Sequence, residues 1–213
     1  MKKLFAIMLA ICVSLGGVAM GANTSKQLQK ARDKQKKEKM KQFKKEKWTI
    51  FGTTNTIDVA LLTHYDKLEQ LGEDAHEVVG LASNFKSKNV GVQTAENNAC
   101  ISYAKEAGSE LQGRIATDLF GSGSDPEGEF DHFYQAFERG VQKEIKGELK
   151  KSFSIIHDNG NGTYELQSYY IVDESGAQRA RMKALEAALK ESEVAQKHAA
   201  KISEFVKGGI NAE

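Results

Sequence analysis

The chain has little proline and little cysteine: one proline and two cysteines in 213 residues, with one tryptophan. A single proline excludes collagen-like and proline-rich repeats. Two cysteines exclude a disulfide scaffold and a zinc-ribbon framework. Long apolar runs are scarce too. The run from Leu4 to Leu15 is about twelve residues, short of the roughly twenty that span a bilayer. Common catalytic signatures are missing: there is no G-x-S-x-G nucleophile elbow, no Walker-type phosphate loop and no H-E-x-x-H zinc helix. His64, His76, His132, His157 and His198 show no pair at metal-ligand spacing, so each reads as an exposed or singly hydrogen-bonded side chain. Cys100 has no nearby histidine to activate a thiolate, and reads as a small buried hydrophobe.

What is present is enough apolar matter, 40% of residues, for one packed domain, which excludes wholesale disorder. The net charge of +1 hides an asymmetry. Residues 26–47 carry +8 and residues 48–213 carry −9, so a basic arm precedes an acidic domain. The arm's apolar residues Leu28, Met40 and Phe43 make no continuous stripe. Its crowded like charges oppose an isolated helix, so it reads as a solvated, partly helical tether. Lys36, Lys37, Lys39, Lys41, Lys44 and Lys45 are its candidate contacts to an anionic lipid surface or a polyanionic cell-wall polymer. Nucleic acid is not expected as a partner, because no aromatics beyond Phe43 and Trp48 interleave the charge for base stacking.

The first residues read as an address. Met1-Lys2-Lys3 is a positive start, the apolar run follows, and Ala19 to Ala22 supplies small residues for a cut near Gly21 or Ala22. Bulky Ile11 before Cys12 departs from a lipoprotein signal. Removal of the leader leaves Cys100 as the only thiol, consistent with a fold held by packing alone. The predicted organisation is a signal peptide over 1–22, the lysine-rich arm over 23–47, one α+β domain over 48–207 and a tail over 208–213. No transmembrane span is expected in the mature chain.

Hydrophobic periodicity sets out the domain. Residues 48–52 read as a short strand. Ile57, Leu61, Tyr65, Leu68 and Leu71 repeat as a helix stopped by Gly72. Residues 77–85 read as a strand with Val79, Leu81 and Phe85 on alternating positions, and Gly80 marks a bulge or a close backbone approach. A long alanine-rich helix over roughly 90–120 presents Ala95, Ala99, Tyr103, Ala107, Leu111, Ile115 and Leu119. A second helix carries Phe130, Phe133, Phe137, Val141 and Ile145. Two period-2 runs joined by Asn159-Gly160-Asn161-Gly162 predict a hairpin. A final helix is predicted over about 175–207, stopped by Gly208-Gly209. The sum is an α+β fold: a small antiparallel sheet of three or four strands, with long helices mainly on one face.

Two constellations are candidate sites. Asp125, Glu127, Glu129 and Asp131 alternate around Gly128, but the loop lacks an EF-hand's twelfth-position glutamate and Pro126 stiffens it. It reads as a loop capping the next helix, and no metal or cofactor is expected. Tyr164, Tyr169 and Tyr170 lie on the second hairpin strand. Adjacent Tyr169 and Tyr170 must point to opposite sheet faces, so one leaves the main core unless a further layer covers it. An uncovered tyrosine face would serve as a binding face for a partner or an apolar ligand.

The stretches "EVVGLASNFKSKNVGVQTAENNACISYAKEAGSELQGRI", "IKGELKKSFSII" and "YYIVDESGAQRARMKALEAAL", in their order of elements, resemble the family of small bacterial envelope proteins typified by the surface lipoprotein antigen "Lpp-twenty". The resemblance covers roughly residues 77–206. It implies a helix cradled by a three-stranded antiparallel sheet, similar to the dodecin arrangement, and an envelope location. It brings no established enzymatic activity, so no catalytic residue is carried over. Typical members are lipidated, and this chain lacks the matching lipobox.

Three functions compete. The first is a non-enzymatic secreted or periplasmic envelope protein acting by binding or assembly, its partner an envelope component, another protein or a second copy of itself. The second is a small-molecule binding module using the tyrosine-bearing hairpin, which requires a crevice beside Tyr169 or Tyr170. The third is an unrecognised enzyme, which requires a tight cluster of Glu, Asp and His in a buried cleft.

Overall fold

The computed structural model describes residues 23–120 and 130–209. The leader with Cys12, and the loop carboxylates Asp125, Glu127 and Glu129, lie outside the described residues. The elements are α1 (Asn23–Lys45), β1 (Thr49–Phe51), α2 (Ile57–Leu71), β2 (Ala75–Phe85), α3 (Lys88–Arg114, prolonged by a wide π turn, Ile115–Leu119), α4 (Asp131–Ile145), β3 (Lys150–Asp158), β4 (Tyr164–Asp173), α5 (Glu174–Leu189), α6 (Glu193–Lys197) and α7 (Ala199–Lys207). The class is α+β. The four strands form one antiparallel sheet in the order β1-β3-β4-β2.

The predicted hairpin is the centre of the sheet. Gly160 and Gly162 sit at φ of +73° and +80°, conformations that only glycine adopts cheaply. Between them the Asn161 side-chain oxygen accepts from the Thr163 amide at 3.0 Å, the turn chemistry expected of asparagine. Ser154 and Ser168 face each other across the ladder and join their hydroxyls at 2.8 Å, fully buried.

On one face lies the main core, built from α3, α4, α5 and α7. The alanine stripe of α3 is buried from Ala95 through Ile115, and all five predicted apolar residues of the phenylalanine-rich helix are buried. Gly80 explains how close α3 comes: a Cβ there would lie 1.8 Å from the Ala95 carbonyl oxygen. The glycine therefore marks close approach, and the ladder irregularity falls later, between Ala82 and Phe85, where Asn84 has φ of +56°. The inward face of β2 also differs from the prediction. Val78 and Ala82 are buried, flanking Gly80, whereas Leu81 is 43% exposed. The helix is too near the sheet for large side chains, so small residues line the buried face.

The single C-terminal helix predicted over 175–207 is three helices. Ser192 adopts extended backbone, and its hydroxyl accepts from the Ala195 amide at 3.2 Å as the cap of α6. His198 makes the second break. The two corners return α7 onto α5, and Ile202 and Val206 join the main core.

Most helices lie on the face of the main core, as expected, but the other face of the sheet carries a smaller layer of its own. α2 starts at Thr56, whose hydroxyl accepts from the Val59 amide at 3.3 Å, and buries Ala60, Leu61 and His64. α1 crosses beside it. The tether expected over 23–47 is in fact a helix whose C-terminal end belongs to the core: Phe43 is 1% exposed and Met40 packs with it. Lys47, at φ of +57°, reverses the chain, and the Trp48 amide donates to the Phe43 carbonyl at 2.9 Å, the kind of left-handed cap that ends many helices. Phe43 and this cap seat the end of a helix that has no continuous apolar stripe.

Candidate functional site

Pleating sends Tyr169 and Tyr170 to opposite faces, as their adjacency requires. Tyr170 enters the main core. Tyr169 enters the second face, stacked on Phe153 with ring centroids 4.4 Å apart and planes 3° from parallel. The edges of Phe43 and His64 close over it at 6.4 and 5.8 Å. Its hydroxyl donates to the Gln167 side chain at 2.9 Å. Burial, with the charge of Glu77, pushes the Tyr169 phenol far above its ordinary range. Tyr164 lies half-buried against Phe85, with the Lys88 ammonium 5.0 Å over its ring. Tyr164 shares the α3 side with Tyr170, so the three tyrosines do not make one open binding face. The further layer is α1 and α2.

The layer is fastened by charge. Lys39 reaches inward to lie 4.6 Å over the Tyr169 ring and 3.5 Å from the Glu77 carboxylate. Lys36 pairs with Glu69 at 2.7 Å, and Lys44 pairs with Asp58 at 2.8 Å. Three of the six lysines singled out in the arm are therefore engaged with the chain's own domain. The other three, Lys37, Lys41 and Lys45, are exposed, and so are Lys30 and Lys34. The spacing 30-34-37-41-45 is helical, and it puts five lysines on the side of α1 turned away from Phe43. Lys30 and Lys34 were missed as contacts because the stripe exists only once the arm is a helix of known orientation.

Two histidine–carboxylate pairs flank β2, supplied by neighbouring residues. His76 points to the main core and meets Glu174 at 2.6 Å. Glu174 also accepts from Arg181, a buried guanidinium that donates to the Tyr103 hydroxyl at 2.7 Å and to the Val206 carbonyl at 3.4 Å. Burial works to raise Glu174, but the bonds from His76 and Arg181 outweigh it and bring its carboxyl down to about 2. Tyr103 is pushed up to about 12 by burial. Glu77 points the other way, 3.4 Å from Nε2 of His64. That contact has charge proximity without hydrogen-bond alignment, because neither ring nitrogen of the fully buried His64 has a hydrogen-bond partner. Burial favours neutral Glu77, but His64 and Lys39 overcome it and hold the carboxyl below its ordinary value.

His64 thus departs from the exposed or singly bonded histidine expected from its position in the chain, whereas His76 fits it. Asp131 is the first residue of α4 and carries its charge at that helix's N-terminus. Cys100 is buried, as predicted. Among the described residues, no group of three or more His, Cys, Asp or Glu side chains is arranged to hold a metal ion. None of the helices there is long and apolar enough to cross a membrane. A narrow crevice between α3, α5 and α7 is lined by Glu110, Arg114, Arg181, Phe205 and Val206, far from Tyr169 on the opposite face of the sheet.

Comparison with protein-family models, with curated proteins and with solved structures found no match for this chain.

Proposed function

We propose that this protein is exported to the bacterial cell envelope and works there without catalysis, by holding its acidic domain against an anionic envelope component. The observation that carries the reading is the outward stripe of α1: five exposed lysines on one side of a helix whose other side is anchored by Phe43. The leader-like residues 1–22 and the resemblance of residues 77–206 to small envelope proteins support the location. The partners of the histidine–carboxylate pairs support a structural role for them: each carboxylate is engaged by basic groups of the chain itself, Glu174 by His76 and Arg181 and Glu77 by Lys39. The tyrosine-platform alternative has less support, since Tyr169 and Tyr170 are 1% and 3% exposed.

Deleting the arm is a poor test, because it would remove Phe43 from the core. The better one titrates the full mature chain against cell-wall sacculi and anionic vesicles. A variant with Lys30, Lys34, Lys37, Lys41 and Lys45 changed to Gln is run beside it. Low-salt binding to at least one anionic surface, lost in the variant, is the expected result. Equal binding by both proteins would remove α1 from the function, and a natural product that begins at Met1 in the cytosol would remove the envelope.

A further inference from the structure

The stripe on α1 is one side chain wide. With 3.6 residues and about 5.4 Å per turn, Lys30, Lys34, Lys37, Lys41 and Lys45 fall within about 80° of arc. They span about 22 Å, one charge every 5–6 Å. All five are exposed. Among the described residues only Lys34 has a carboxylate within ion-pair distance, Glu38 at 3.9 Å. The four others are free to meet a partner.

Two features decide what shape of partner fits. First, the apolar side of α1 is spent: Phe43 and Met40 pack into the second face of the sheet. A helix that lies in a membrane interface does so by sinking its apolar face among the acyl chains, and the large apolar side chains of α1 among the described residues, Phe43 and Met40, are already packed against the domain. Second, the stripe is bordered by acid. On one flank is Asp58 of α2, already paired with Lys44. On the other flank is Glu38 of α1 itself, 3.9 Å from Lys34, and beyond lies a domain of net charge −9. A plane of negative headgroups that reached the lysines would also reach these carboxylates, and like charges repel. A single extended chain can follow the lysines and avoid the carboxylates.

We infer that the ligand of this stripe is a linear phosphodiester polymer, bound lengthwise along α1 through about five phosphates, and not the plane of an anionic bilayer. This rests on the reading of α1 as the contact and narrows it to one partner geometry. Lysine suits the task, because its ammonium is a point charge that meets a phosphate without a demand for fixed geometry. Recognition is then of charge spacing and not of chemical detail. The affinity comes from counterion release, so it must fall with salt by an amount set by the number of lysines engaged.

The test uses the full mature chain, a fluorescent abasic phosphodiester oligomer, and vesicles of phosphatidylglycerol mixed with phosphatidylcholine, each titrated over a range of salt. The oligomer should bind with a slope of log K on log salt of about −3.5, from about 0.7 per neutralised phosphate on a single strand. Each single Lys→Gln change in the stripe should reduce that slope by about 0.7, and Lys36→Gln or Lys44→Gln should leave it unchanged. Vesicles at equal phosphate concentration should bind at least about tenfold more weakly. Vesicles that bind as well as the oligomer would overturn the polymer and leave α1 as the anchor. Oligomer binding with an unaltered slope in the stripe variants would overturn the stripe itself. Binding of neither probe would sink both this inference and the reading beneath it. All five positions are exposed, and each single variant reports separately, so a misfolded multiple variant does not blunt the test.

Discussion

The ammonium of Lys39, in the stretch richest in like charge, lies 4.6 Å over the ring of Tyr169, a tyrosine 1% exposed on the central hairpin. That contact joins the two regions that charge alone would divide into arm and domain. It is backed by Glu77, which draws Lys39 inward at 3.5 Å, and by Phe43 one turn away. The arm is therefore held by a cation–π contact, ion pairs and one buried ring, and its remaining lysines are turned outward as a consequence.

Phe43→Ala tests the docking. Burial of a phenylalanine ring accounts for about 3–5 kcal/mol in typical cores. Urea unfolding of the variant should show a loss near the lower end of that range, since α1 is a peripheral helix that can relax. Lysines along α1 should become rapid sites of limited proteolysis. A variant with unchanged midpoint and unchanged proteolysis would mean that the helix is not seated on Tyr169.

Gly80→Ala should be among the costliest small changes in the chain. The new methyl would meet the Ala95 carbonyl at 1.8 Å, so α3 must move off β2. The expected loss is about 3 kcal/mol or more, at the top of the range for overpacking. Gly113, in the same helix α3, meets nothing within 4 Å. Its change to Ala should raise stability by about 0.5–1 kcal/mol, through helix propensity alone. Thermal unfolding of the two variants side by side gives opposite signs if the packing is right.

The Arg181 network makes a prediction about pairs. Arg181→Met removes a buried guanidinium with its bonds to Glu174, Tyr103 and Val206 and should cost about 2–3 kcal/mol, below the penalty for a fully buried pair because Glu174 is a quarter exposed and keeps His76. Tyr103→Phe removes one hydrogen bond and should cost about 1 kcal/mol. The double variant Arg181→Met, Glu174→Leu should be less destabilised than the sum of the two single changes, because each single change leaves one charge of the pair without the other. A double variant that is simply additive would show that the pair does not interact.

Stability should fall toward both ends of the pH scale. Glu174 is lowered to about 2 in the fold and Glu77 is lowered as well. The unfolded chain therefore binds protons first, and the stability these carboxylates contribute is complete above about pH 5. It is lost as pH falls toward 2. At the other end, Tyr65 and Tyr103 are raised to about 12 by burial. The unfolded chain gives up those protons near pH 10 while the fold keeps them, so stability drops as pH rises from 10 to 12. Urea midpoints measured across pH should show both slopes, and Glu174→Gln should flatten the acid one. An acid slope unchanged in that variant would remove Glu174 from the linkage.

Local pattern carried much of the fold. The helical repeat of α3, the five apolar residues from Phe130 through α4 and the Asn-Gly hairpin each rest on neighbours in sequence, and each was legible there. The errors share one cause. The alternating pattern put Val79 and Leu81 on the buried face of β2, yet a side chain's room is set by how near the opposing helix comes, and Val78 and Ala82 take that face on either side of Gly80. Ser192 and His198 interrupt a repeat that continues unbroken in the sequence, because folding α7 back buries Ile202 and Val206 against other helices. Lys30 and Lys34 have no distinguishing neighbours at all.

The amino-acid sequence by itself determined the strands and the helices α2 to α4, the opposed charge of the two regions and the opposite destinations of Tyr169 and Tyr170, since composition and backbone period are local properties. Tertiary structure alone decided that α1 covers Tyr169, that Glu77 meets His64 while its neighbour His76 meets Glu174, and which five lysines face outward. Those outcomes depend on contacts between residues far apart in the chain, where packing distance and the partner's charge, not residue type, choose among arrangements that the pattern permits equally.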